Sequence, residues 1–132
     1  MIKENLKRIL VVDDDRTVAN SLKQYLEDAD FEVTPAGRAE EALSFAEDNV
    51  FDAAILDIRL PGMNGEELLK RLHERDPSMR FLIYTGSSNY TLPESLVSIG
   101  IREEQVIPKP AESLSVFLKK INDLFNKGND DG

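Results

Sequence analysis

Short apolar runs alternate with amphipathic stretches along most of the chain. The runs lie at residues 9–12, 31–34, 53–56, 81–84 and 106–107, and each is bounded by polar or turn-forming residues. Five strands are therefore predicted. Apolar residues at helical spacing predict helices within residues 18–29, 39–46, 68–72 and 114–125. A shorter helix is predicted between Pro93 and Gly100, with Leu96 and Val97 as its apolar face.

The alternation of strands and helices is typical of βαβ units. The runs at residues 9–12, 53–56 and 81–84 lack polar alternation, which indicates strands that are buried on both faces of a parallel sheet. The expected fold is therefore α/β, with a doubly wound five-stranded parallel sheet. We expect one domain over residues 1–126, followed by a flexible polar tail over residues 127–132, which holds no apolar side chain.

Composition narrows the classes of function. The 132 residues include no Cys, which excludes disulfides, thiolate zinc sites and cysteine nucleophiles. The net charge of −9 disfavours direct binding to nucleic acid or to an anionic membrane. No uninterrupted apolar run exceeds four residues, so a membrane span is not expected. By default, a cytoplasmic protein is expected.

Carboxylates follow two of the predicted strands. Asp13 and Asp14 come directly after the first strand, and Asp57 comes directly after the third. In a doubly wound sheet, ligands bind beyond the carboxyl ends of the strands. Unpaired carboxylates that converge there raise one another's pKa, so a cation is expected among them, and Mg²⁺ (or Mn²⁺) suits such oxygen ligands. The alternative is that residues 13–15 only cap a helix and that Asp57 only caps a turn.

Two further polar residues end predicted strands. Thr85 follows the fourth run and Lys109 follows the fifth. A hydroxyl and an ammonium beside the carboxylates could hold the oxygens of a phosphoryl group. Each is ambiguous alone, because a threonine is a common strand residue and a lysine before proline is commonly a surface charge.

Four motifs in order resemble the receiver domain of two-component response regulators. They are Leu10-Val11-Val12-Asp13-Asp14, the run from Leu56 to Gly65, Tyr84-Thr85-Gly86 and Pro108-Lys109-Pro110. The resemblance extends from about Arg8 to Phe125, nearly the whole chain, and implies the (βα)₅ flavodoxin-like receiver fold.

The resemblance implies a role for each matching residue. Asp57 would be the phosphoacceptor, and Mg²⁺ would be held by Asp13, Asp14, Asp57 and the backbone carbonyl of Arg59. Thr85 and Lys109 would bind phosphoryl oxygens. The Lys109-Pro110 peptide is expected to be cis. Thr85 and residue 106 would form the conformational switch, but Val106 stands where the family usually has an aromatic residue.

The resemblance also implies the reaction and the partners. A sensor histidine kinase or a histidine phosphotransfer protein would donate the phosphoryl group to Asp57. The protein would act as a switch rather than as a turnover enzyme, and would control an unidentified target protein or output domain. A phosphorylation-dependent homodimer is left open. The initial Met and the polar tail favour a stand-alone protein over a piece of a longer regulator.

Two other functions remain as alternatives. One is a receiver-like binding module that works without phosphorylation. The other is a small phosphatase of the haloacid-dehalogenase type. Asp13, Asp15 and Thr17 form the pattern D-x-D-x-T, which resembles the nucleophile loop of those phosphatases. Asp13 would then be the nucleophile and Asp15 the general acid and base. This alternative leaves Asp57 without a role, and the acidic metal motif expected after Lys109 is missing.

Overall fold

The computed structural model describes residues 6–130. The strands are β1 (Arg8–Val12), β2 (Glu32–Ala36), β3 (Ala53–Leu56), β4 (Arg80–Thr85) and β5 (Val106–Pro108). The helices are α1 (Arg16–Asp28), α2 (Ala39–Asp48), α3 (Gly65–Arg75), α4 (Glu94–Val97) and α5 (Ser115–Asp130), with a 3-10 turn at Glu103–Gln105. Within the described residues, no helix combines the length and apolar character needed to cross a membrane.

The five strands form one parallel sheet in the order β2-β1-β3-β4-β5. Successive residues of β1 point to opposite faces, and both faces are buried. Leu10 and Val12 pack in one cluster with α2 and α3, while Ile9 and Val11 pack in a second cluster with α1 and α5. The predicted doubly wound α/β fold is confirmed, and it brings the carboxyl ends of β1, β3, β4 and β5 to one edge of the sheet.

Strand β2 and helix α4 differ from the sequence prediction. Strand β2 continues through Pro35 to Ala36. Proline has no amide hydrogen to donate to a neighbouring strand, and β2 tolerates this because it lies at the edge of the sheet. Helix α4 is a single turn, closed by Gly100 at φ 104°, in which Leu96 is buried but Val97 is 47% exposed. Only Leu96 thus belongs to the apolar face that was predicted for both.

The C-terminal helix is longer than predicted. Helix α5 continues to Asp130, so its backbone includes four residues of the segment that was expected to be a flexible tail. The last two residues of that segment, 131 and 132, lie outside the described residues. The division of the chain at residue 126 stays a prediction.

Candidate functional site

Three of the predicted site residues, Asp13, Asp57 and Lys109, stand directly after β1, β3 and β5, and backbone hydrogen bonds fix their positions. The amide of Asp13 donates to the Ala36 carbonyl at 3.0 Å, and the amide of Asp57 donates to the Val12 carbonyl at 2.9 Å. The Lys109 amide donates to the Thr85 carbonyl at 2.8 Å. The ladder of the parallel sheet therefore extends one residue beyond β1, β3 and β5 and aligns these residues at one edge.

The ammonium of Lys109 bridges the two buried carboxylates. Its Nζ lies 2.7 Å from Oδ2 of Asp13 and 3.0 Å from Oδ2 of Asp57. The side chains of Asp13 and Asp57 are 3% and 8% exposed, whereas that of Lys109 is 21% exposed. Burial of both carboxylates requires a compensating cation, and Lys109 supplies it.

The pKa values of this cluster reflect a competition between burial and pairing. Burial raises the pKa of Asp13, and the hydrogen bonds from Lys109 and from the Asp15 amide do not cancel the increase. Burial lowers the pKa of Lys109, but its hydrogen bonds to Asp13 and Asp57 outweigh this and leave the pKa above its ordinary value. Lys109 is therefore a firmly charged partner of the two carboxylates at neutral pH.

Asp14 completes a group of three acidic residues with Asp13 and Asp57. One carboxylate oxygen from each of the three lies within 4.8 Å of the others, and Asp14 is exposed. The donors are all hard oxygens, carry excess negative charge and remain open to solvent through Asp14, which fits a magnesium or manganese ion. The predicted convergence of these three carboxylates is thus present in the fold.

The segment after β3 packs closely around Asp57. The amide of Arg59 donates to Oδ1 of Asp57 at 3.2 Å, which aims one oxygen of the carboxylate toward this segment. A Cβ atom on Gly65 would overlap the backbone carbonyl oxygen of Asp57. Sequence reasoning placed Gly65 in a motif but gave no reason for it, because the close approach depends on how α3 begins. The Arg59 carbonyl as a metal ligand stays a prediction.

Thr85 is almost fully enclosed at the end of β4, at 1% exposure. Its hydroxyl oxygen accepts a hydrogen bond from the Ser87 amide at 3.2 Å, which leaves the hydroxyl hydrogen able to donate elsewhere. Val106 is half-buried in β5 and, like Tyr90, packs against the core cluster that contains Leu96. The hydroxyl of Tyr90 donates to Glu66 at 2.7 Å, a contact that was not predicted from the sequence.

The side chain of Asp15 is not part of the cluster of three carboxylates. Its Oδ1 accepts hydrogen bonds from the amides of Thr17 and Val18 at 3.0 and 3.4 Å, which makes Asp15 the N-cap of α1. The Asp15 carboxylate is thus directed at the start of α1 and is not one of the three carboxylates that converge at the site. The geometry therefore disfavours the phosphatase alternative. Residues 13–15 were alternatively expected to do no more than cap a helix, and of these three residues only Asp15 is the N-cap of α1.

Comparisons with known proteins agree with this arrangement. The family described as the response regulator receiver domain matches residues 9–122. A response regulator receiver protein of Anaeromyxobacter sp. (strain Fw109-5) is 35% identical over 105 residues, which are 80% of this chain and 43% of that relative. The chain thus spans less than half the length of this curated relative.

Solved structures of response regulators are also similar to this chain. A CheY-like response regulator receiver domain protein from Methanospirillum hungatei JF-1 has a TM-score of 0.83 at 37% identity and covers 97% of this chain and 100% of its own. The response regulator TrrA from Thermotoga maritima, solved in complex with Mg²⁺-BeF, has a TM-score of 0.77 at 27% identity and covers 90% of this chain and 99% of its own.

Proposed function

Because the chain belongs to the response regulator receiver family of two-component signalling, we propose that it accepts a phosphoryl group on Asp57. The observation that carries this proposal is the convergence of Asp13, Asp57 and Lys109 at the end of three strands, with Lys109 within 3.0 Å of both carboxylates. Such a site matches the needs of phosphoryl transfer, in which catalysis rests on positioning and on stabilisation of charge.

The proposed donor is the phosphohistidine of a sensor histidine kinase or of a histidine phosphotransfer protein. A carboxylate oxygen of Asp57 attacks phosphorus, the P–N bond to the donor breaks, and its electron pair returns to the imidazole nitrogen. In the second half of the cycle, water attacks phosphorus and loses a proton to solvent, and the P–O bond to Asp57 breaks with its electron pair returning to the carboxylate. This releases inorganic phosphate and restores the carboxylate. The protein is in this sense a phosphoacceptor rather than an enzyme with a small-molecule substrate.

A divalent metal is part of the proposal. Asp13, Asp14, Asp57 and the carbonyl of Arg59 would hold Mg²⁺ or Mn²⁺, which when bound supplies positive charge against the phosphoryl oxygens. The cluster of three carboxylates supports this assignment. The TrrA structure supports it by analogy, since that protein was solved with Mg²⁺-BeF.

Lys109 and Thr85 would recognise the arriving phosphoryl group. The ammonium has three donors, of which two are directed at Asp13 and Asp57, so one can turn to a phosphoryl oxygen. The Thr85 hydroxyl can donate to another oxygen, and its burial means that any movement requires repacking around β4. Phosphorylation would thereby shift the protein between two conformations.

The output of the switch would be control of a partner protein or of an output domain. Val106 fills the place of the usual aromatic residue, so the transmission of the signal from Thr85 must use other side chains. Tyr90 is half-buried against the same cluster as Val106 and is therefore available to respond. Phosphorylation-dependent dimerisation is a further part of this proposal.

The test uses acetyl phosphate, an acyl phosphate that loses acetate as its P–O bond breaks. We incubate the wild type, Asp57→Asn and the exposed control Asp28→Asn with acetyl phosphate, with and without Mg²⁺. The mass of each intact protein is then measured by mass spectrometry. We expect one phosphoryl adduct that requires Mg²⁺ and is absent only from Asp57→Asn. No adduct in the wild type would favour a phosphorylation-independent binding module.

A further inference from the structure

Tyr84, which precedes Thr85 in β4, lies against the functional cluster without belonging to it. Its ring centroid is 5.2 Å from the Nζ of Lys109, within the range of a cation–π contact. Tyr84 is 8% exposed, so this contact is largely shielded from solvent. The ammonium of Lys109 thus contacts two carboxylates and one aromatic ring.

The hydroxyl of Tyr84 holds the chain just beyond Lys109. It accepts a hydrogen bond of 3.1 Å from the amide of Ala111. One side chain of β4 therefore contacts the lysine ammonium with its ring and the backbone two residues later with its hydroxyl. The segment that contains the cis Lys109-Pro110 peptide is held between these two contacts.

The orientation of the ring is itself fixed from a third side. Phe117 of α5 meets the Tyr84 ring edge-on, with the centroids 4.7 Å apart and the planes at 85°. Phe117 is fully buried, and an edge-on aromatic pair in the core leaves little freedom to either ring. Helix α5 therefore restrains Tyr84, which in turn restrains Lys109.

We propose that Tyr84 is a positioning residue for Lys109 in phosphoryl transfer to Asp57, an inference that rests on the proposed function. A lysine side chain has four rotatable bonds, and its freedom must be lost when the ammonium meets the phosphoryl group. The ring of Tyr84 restricts this freedom beforehand. It also stabilises the positive charge of the ammonium when the third N–H turns to the phosphoryl group.

The alternative is that Tyr84 only fills space, since it also packs in the core cluster with Ile107 and Ile121. The two roles differ in which substitutions are tolerated. A positioning role through the ring is retained in Tyr84→Phe and lost in Tyr84→Leu. The control is Tyr25→Leu on α1, which makes the same change at a half-buried position packed against the same cluster.

The first measurement follows the ε-methylene protons of Lys109 by NMR, with the resonance assigned by its loss in Lys109→Met. An aromatic ring close to the ammonium shifts these protons upfield. We expect the shift in the wild type, Tyr84→Phe and Tyr25→Leu, and its loss in Tyr84→Leu. An unchanged resonance in Tyr84→Leu would overturn the proposal. If Tyr84→Leu does not fold, Tyr84→Met replaces it.

The second measurement is the rate of phosphorylation by acetyl phosphate at saturating Mg²⁺, with Mg²⁺ affinity measured by calorimetry. We expect Tyr84→Leu to react about tenfold more slowly, and Tyr84→Phe within about threefold of the wild type. Mg²⁺ affinity should stay within about twofold in both, because the three carboxylates are unchanged. A Tyr84→Phe variant as slow as Tyr84→Leu would overturn the role of the ring, as would wild-type rates in both.

The two measurements separate this inference from the proposed function. A wild type that takes no phosphoryl group contradicts phosphorylation at Asp57, while the NMR signal still decides whether Tyr84 holds Lys109. A wild type that is phosphorylated, with an equal rate in Tyr84→Leu, contradicts the positioning role and leaves the proposed function standing.

Discussion

The hydroxyl of Tyr90 donates a hydrogen bond of 2.7 Å to a carboxylate oxygen of Glu66. This contact links the segment after β4 to the first turn of α3, where the neighbouring Gly65 packs against the backbone of Asp57. Burial and the adjacent Glu66 carboxylate raise the pKa of Tyr90 well above its ordinary value, so the hydroxyl keeps its proton and remains a donor.

Removal of the Tyr90 hydroxyl should therefore weaken the fold. We expect Tyr90→Phe to lower the free energy of unfolding by about 1 kcal/mol, because Glu66 loses a hydrogen bond in a half-buried setting. Urea denaturation at neutral pH measures the change, with Tyr25→Phe on α1 as the control for loss of a tyrosine hydroxyl. Equal stability of the two variants would show that the Glu66 contact contributes nothing.

Lys109→Met should be destabilised in a pH-dependent manner. Without the ammonium, the buried carboxylates of Asp13 and Asp57 are uncompensated, at a cost of about 2–3 kcal/mol near pH 7 in the absence of metal. The pKa of Asp13, which burial already raises, then rises further because the hydrogen bond and the charge of Lys109 are lost. A carboxyl whose pKa is raised on folding destabilises the protein as the pH rises through that pKa, so the deficit should shrink toward about pH 5.

Urea denaturation at both pH values, without metal, measures this effect. Lys119→Met is the matched control, because the Lys119 side chain is 78% exposed and forms an ion pair of 3.5 Å with Asp123 on its own helix. We expect that control to stay within about 0.5 kcal/mol of the wild type at either pH. A deficit in Lys109→Met that is equal at the two pH values would contradict the pairing described for the two carboxylates.

Asp14 offers a test of the metal site that leaves the buried cluster intact. Because Asp14 is exposed, Asp14→Asn should unfold at the wild-type temperature without metal. Added Mg²⁺ should raise the unfolding temperature of this variant less than that of the wild type. We expect its affinity for Mg²⁺ to fall about tenfold, and the stabilisation by a ligand grows with the logarithm of the ligand concentration divided by Kd. Thermal unfolding across a series of Mg²⁺ concentrations measures this difference.

The control is Asp28→Asn, which makes the same change of charge at an exposed position and should respond to Mg²⁺ as the wild type does. If Asp14→Asn also responds as the wild type does, Asp14 is excluded as a ligand.

Gly65→Ala should disturb the phosphoacceptor segment. An alanine Cβ would overlap the Asp57 carbonyl oxygen, a backbone atom that cannot move without shifting β3. We expect a loss of about 3 kcal/mol in chemical denaturation and a slower reaction with acetyl phosphate. At Gly37, a Cβ would meet no atom of the described residues within 4 Å, so Gly37→Ala should stay near the wild type. Similar stability of the two variants would contradict the close packing at Gly65.

The sheet and the position of the site were predictable because both depend on short-range pattern. Residues 9–12 and 53–56 are apolar without alternation, and strands of that kind become the buried centre of a parallel sheet. A polar residue directly after such a strand must lie at the carboxyl edge. Asp13, Asp57, Thr85 and Lys109 could thus be assigned to one site, with four motifs to support the family.

The contacts of Tyr84 and Tyr90 were not predictable in this way. Tyr84 reads as one more apolar position of a strand, and its approach to Lys109 depends on the register of β5 beside β4. The Tyr90 contact joins residues 24 positions apart and depends on the path of an irregular segment. The extension of β2 through Pro35 and the shortness of α4 likewise follow from edge position and tertiary packing, which override local propensity.

The most direct test of the central claim locates the phosphoryl group on the chain. Protein treated with acetyl phosphate and Mg²⁺ is reduced with borohydride, which converts an aspartyl phosphate to homoserine, and is then mapped by peptide mass spectrometry. We expect homoserine at position 57 alone, and none without Mg²⁺. Homoserine at position 13, or at neither position, would contradict Asp57 as the phosphoacceptor.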